Sequence, residues 1–259
     1  MPGPGPHLMY TLAMGTGMMH LSRGAFTSHH CLVYTLNAFL GPDLGSFCEW
    51  LAQTSSFGRA LGSKAMDYVH DPVYYVLILG APLCFMYSKL SRILLQAGFL
   101  PTLPGVHLKP KECLYLIAAG SLSHFFLDNL FEENGHTKML VWILSTGWWQ
   151  GAAPLDFMSV LIVGLLCSVL LASFIYINRS IKTNHSQPLR ALASIAIVAA
   201  LYTLWCAIRV YVMVPRLPAV GEEADLGVLV FLAIFFFAPH ALCVASMHSI
   251  DTSSEIHMV

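Results

Sequence analysis

The stretch SLSHFFLDNLFEENGH, Ser121 to His136, sets a histidine and an aspartate four residues apart in a run otherwise apolar enough to lie in a bilayer. On an α-helix, positions i and i+4 share a face, so His124, Asp128 and Glu132 form one polar stripe. An imidazole and a carboxylate in hydrocarbon are costly unless paired, hydrated or coordinated, which makes the stripe a candidate functional site. The plainer alternative is a His–Asp hydrogen bond that only locks helix packing.

The surrounding chain fits that setting. Of 259 residues, 56% are hydrophobic and 10% charged, a balance that excludes an ordinary soluble domain and predicts an all-α, polytopic membrane protein. Net charge is −1, and no basic cluster is dense enough to track a phosphate backbone, so nucleic acid is excluded as a partner. Seven cysteines, at 31, 48, 84, 113, 167, 206 and 243, form no CxxC pair and read as small packing residues. Only Cys31 and Cys48 are placed to meet an oxidising lumen together. The opening MPGPGPHLMYTLAMGTGMMHLSRG has Gly and Pro where a signal peptide needs a basic end and an unbroken apolar core, so no cleaved signal is expected. Residues 1–24 are predicted to be disordered or loosely ordered, with no chemistry in the first seven.

Residues 25–150 read as one region with two spans, 151–250 as three further spans, and 251–259 as a tail. AFTSHHCLVYTLNAFL, 25–40, predicts a helix with His30, Tyr34 and Asn37 on one side, followed by a helical cap lying on the membrane surface up to Asp71. Asp71-Pro72 is a helix start, with Asp71 as cap, and Pro82 is expected to kink the span it opens. The second span is 113–131, stopped by Asn134-Gly135. MLVWILSTGWW, 139–149, is too short to cross and suits an interfacial position. Spans at roughly 155–177, with Asp156 as its cap, 191–214 and 226–247 bring the total to about five. Lys89, Arg92, Lys109, Lys111, Arg179, Lys182 and Arg190 crowd one set of loops, which predicts a cytosolic side there. His29, His30, Asp43, His70 and Asp128 then share the lumenal or exterior face.

Along that face the order is His29-His30, Asp43 in GPDLG, His70 in YVHDP, then His124-xxx-Asp128. Imidazoles and carboxylates without thiolates suit zinc, with manganese or iron as alternatives, and such an ion makes hydroxide available at neutral pH. HFFLDNLFEENG, with an upstream PD and a histidine just before a membrane helix, resembles the membrane-bound metal-dependent hydrolases called LexA-binding, inner-membrane-associated hydrolases. These are similar in turn to the zinc-dependent phospholipase C fold. The resemblance covers about residues 25–150, with VHDP standing where the family has HRG-x-TH-S. It implies Asp43, His70, His124 and Asp128 as metal ligands, with His30 or His29 as the N-terminal one.

The function expected on these grounds is hydrolysis of a phosphoester or ester of a lipid or lipid-like substrate, with Asp128, His124 and Glu132 at the chemistry. Glu132 and His136 follow the pair outward as outer ligands, a general base, or merely a solvated loop. Two rivals come from other classes. In a transporter or channel for protons or metal ions, His240 and Arg209 would line a path with His124 and Asp128. In a non-catalytic scaffold the candidate ligands would not cluster. Protein partners and organelle are not legible.

Overall fold

The computed structural model describes residues 4–42, 68–69, 71–102, 105–130, 157–179, 186–215, 217, 225–243 and 246. Within them every regular element is helical. The order is α1 (Pro4–Leu21), α2 (Ser28–Phe39), α3 (Pro72–Gln96), α4 (Pro110–Leu130), α5 (Phe157–Asn178), α6 (Gln187–Val212) and α7 (Leu226–Cys243).

Four of these, α3, α5, α6 and α7, are long and apolar enough to cross a membrane. Each buries only 22% to 28% of its most apolar window, so apolar side chains such as Leu77, Phe85, Leu165 and Ile197 face outward, as hydrocarbon-facing positions do. The fifth expected span is α4. At 21 residues it has the length, but Lys111, Glu112, His124 and Asp128 make it more polar, and it packs against α1, α2 and α3.

The order expected at α3 is present. Asp71 Oδ1 accepts the backbone N–H of Val73 at 2.9 Å and of Tyr74 at 3.0 Å, and Pro72 takes the first helical position, where a missing N–H costs nothing. The helix widens into a π turn at Tyr75–Leu79, shortly before Pro82, which has no N–H to offer the carbonyl four residues back.

The N-terminus corrects the sequence reading. Residues expected to be loosely ordered form α1, an 18-residue helix whose Leu8, Met9, Tyr10 and Leu12 are buried. The reason is local. Pro4 and Pro6 fall in the first turn, whose N–H groups have no intrahelical partner in any case, and from His7 to Leu21 the run is proline-free. Tertiary packing outweighs the glycines. α1 joins α5 and α6 in one core (Leu8, Leu12, Leu170, Phe174, Ile195, Tyr202), and its Tyr10 meets Leu127 of α4 and Val228 and Leu232 of α7 in another. A third core, with Val33, Tyr75, Tyr87, Cys113 and Ile117, holds α2, α3 and α4 together.

The contact between α2 and α4 is close because Gly120 lies in it. A Cβ there would come within 2.6 Å of the Tyr34 carbonyl oxygen and 2.8 Å of Asn37 Cβ. Gly120→Ala should therefore push the two helices apart and lower stability by about 1–3 kcal/mol, read as a drop in thermal midpoint of the purified protein. A midpoint at or above the wild type would show the interface to be slack.

Candidate metal centre

The site lies where the first turns of α1 meet the C-terminal end of α4. α4 supplies His124 and Asp128 one turn apart on its buried face, with His124 Nε2 3.1 Å from Asp128 Oδ2. α1 supplies His7, whose Nε2 is 3.3 Å from the other carboxylate oxygen, Oδ1. The two imidazoles lie partly over one another, centroids 4.6 Å apart and planes at 31°. All three side chains are buried, at 2%, 0% and 6% exposure for His7, His124 and Asp128.

A hydrogen bond fixes one ring. His124 Nδ1 is 3.0 Å from the Ala38 carbonyl oxygen at the end of α2, and a carbonyl can only accept, so Nδ1 carries the proton. Nε2 of the neutral ring then presents a lone pair toward a carboxylate oxygen. That juxtaposition calls for positive charge between the groups, either a second proton on the ring or a bound cation. His7 itself lies in the first turn of α1, at the positive end of that helix's dipole.

The donor set fits a metal. One atom from each of the three residues lies within 4.8 Å of the others. An ion about 2.1 Å from each of three tetrahedrally placed donors separates them by about 3.4 Å, and each histidine lies at about that distance from one oxygen of Asp128, 3.3 Å for His7 and 3.1 Å for His124. The Nδ1–H bond to a backbone carbonyl is also the outer contact that orients metal-binding histidines.

The other expected ligands divide into two groups. Asp43, His70, Glu132 and His136 lie outside the described residues, as does Cys48. His29 and His30 are described, and their bonds lead elsewhere. His29 donates from Nε2 to the Leu100 carbonyl at 2.7 Å and accepts at Nδ1 from the Ser91 hydroxyl at 2.6 Å, tying α2 to α3 and the segment after it. His30 turns back on its own helix, where Nδ1 accepts the Thr27 backbone N–H at 3.1 Å and closes a capping box. His7 was missed because the Pro-Gly repeat before it masks a helix start. The signal that finds it is the proline-free run that begins there.

Of the residues bearing on a transport path, Arg209 is buried with its guanidinium 5.3 Å from the Trp205 ring, a cation–π contact one turn back. His240 is exposed and bonds the Phe236 carbonyl of its own helix. Cys31 lies at the α1–α2 contact, where burial pushes its thiol up to about 12, in keeping with a packing role.

Burial also holds His29 and His30 below the ordinary histidine range. The unfolded chain, with its histidines near 6.5, therefore takes up protons first as pH falls. The stability these neutral rings contribute is complete above about 6.5 and is lost below it. The thermal midpoint should fall between about pH 7 and 5, and fall less in His29→Gln. Parallel profiles would remove His29 from the account.

No protein-family model matches this sequence, no curated protein matches it, and no solved structure matches the fold.

Proposed function

We propose that this chain is a membrane-embedded, metal-dependent hydrolase that cleaves a phosphoester or ester of a lipid-like substrate. The observation that carries the reading is the convergence of His7, His124 and Asp128 from two helices into one buried cluster. Two imidazoles and a carboxylate are a donor set that catalytic zinc sites use, with manganese or iron as the alternatives, leaving a coordination position for water or substrate. A bound ion of this kind supplies Lewis acidity and lowers the pKa of water. His7, His124 and Asp128 would hold it. The Ala38 carbonyl fixes the His124 ring so that Nε2 faces the cluster, and the Asp128 carboxylate offsets the ion's charge in a place with little solvent. A site among apolar helices favours a substrate that reaches it from the bilayer. The orientation drawn from the basic loops puts it on the lumenal or exterior side, away from Lys89, Arg92, Lys109 and Lys111.

The test is turnover by the purified protein, with and without added zinc, of a phospholipid and of a chromogenic long-chain ester. Activity is expected with metal, reduced at least about a hundredfold in His124→Ala and retained in His240→Ala. Equal loss in both variants, or turnover indifferent to metal, would sink the assignment.

A further inference from the structure

The opposite end of α4 carries a second cluster, with no part in the metal centre. Between Asp71 and Asp128 the chain has a single carboxylate, Glu112, against Lys89, Arg92, His107, Lys109 and Lys111. Glu112 is already engaged, its Oε2 accepting the Lys109 backbone N–H at 2.7 Å. Arg92 and Lys89 stand exposed one turn apart at the end of α3, and Arg92 Nη2 reaches His107 Nε2 at 3.3 Å. The guanidinium can only donate, so His107 accepts at Nε2 and keeps its Nδ1–H, and a charged donor and a neutral one thus converge from different segments.

The convergence is built, because the backbone beside His107 is pinned at both of its polar groups. Ser88 Oγ donates to the Leu108 carbonyl at 2.7 Å, and Ser91 Oγ accepts the Leu108 N–H at 3.0 Å. His29 secures the start of the same connection through Leu100. The connection makes its turns at Gly98 and Gly105, both with φ near +65°, which residues with a Cβ rarely adopt. Around the cations the surface is apolar, with Phe99, Val106, Ile93 and Leu90 exposed and Phe85 and Met86 further along α3. A basic surface patch beside exposed hydrocarbon suits an amphiphile better than a soluble anion.

We infer that Arg92, His107 and Lys89 bind the phosphate headgroup of an anionic membrane lipid whose acyl chains lie along the exposed face of α3. Lys111 and Asp128 are 17 residues apart on α4, about 25 Å at 1.5 Å per residue, so this site stands or falls separately from the metal centre.

The experiment exposes the purified chain in detergent to dioleoyl phosphatidic acid and dioleoyl phosphatidylcholine at equal mole fraction, then quantifies the lipid retained after washing. The wild type is expected to retain the phosphatidic acid at least about tenfold over the phosphatidylcholine. The Arg92→Ala/His107→Ala double variant should fall to the phosphatidylcholine level with an unchanged thermal midpoint. Arg190→Ala, which removes an exposed cation from α6, should behave as wild type. Excess inorganic phosphate should displace little of the lipid. Equal retention by the double variant, equal loss in Arg190→Ala, or displacement by inorganic phosphate as complete as by the lipid would each overturn the proposal.

Discussion

Asp128→Ala is expected to abolish metal binding. If the cluster holds a zinc-type ion, elemental analysis of the wild type should find about one ion per chain, and the variant should hold under about a tenth of that. The size of the effect follows from the geometry. The carboxylate is the only negatively charged member of the three, both imidazoles point at it, and without it two buried rings would face a dication with no compensating charge. The same substitution separates two accounts of the site. If the wild type purifies without metal, and Asp128→Ala only lowers stability by about 3–5 kcal/mol as broken buried ion pairs do, the cluster is a proton-sharing His–Asp–His lock and the hydrolase proposal fails.

His7→Ala should weaken metal affinity by more than about a hundredfold, since losing a donor costs more than the roughly 10–100-fold that losing an outer contact costs, whereas His30→Ala should leave metal content unchanged. The contrast is sharp because the sequence favours His30 and the structure favours His7. His30 ends a polar stripe with Tyr34 and Asn37, but its Nδ1 is spent on the Thr27 cap, so its loss should cost only about 1 kcal/mol of stability. His7→Ala should also loosen α1, since it removes the polar tie between α1 and α4, and faster proteolysis around Ser22–Phe26 would report it. A variant series in which His30→Ala loses the metal and His7→Ala keeps it would restore the sequence-based ligand set.

The helices that are apolar all round were easy to read, because a run such as 157–178 has no plausible fate but a span. So was the pairing of His124 with Asp128, since an i, i+4 spacing fixes a shared face without any knowledge of tertiary structure. The third member was not. A pattern of Pro and Gly is informative about local stiffness and silent about position within a helix. Pro6 ends a helix in the interior yet is harmless in the first turn, and which applies depends on where the helix starts. The roles of His29 and His30 were hidden for a different reason. Both rings bond groups that sequence spacing cannot place, a serine 62 residues away in one case and the helix's own cap in the other.

α1 leaves the ribosome long before α4, and its polar His7 waits through more than a hundred residues of translation before Asp128 exists to meet it. Contacts of such sequence separation form late and slowly. The first helix must therefore be held near the insertion machinery, or rest at the lipid surface, until the later helices arrive to enclose it. Truncated chains that end before residue 124 should then be degraded as orphaned inserts rather than accumulate as a stable N-terminal fragment.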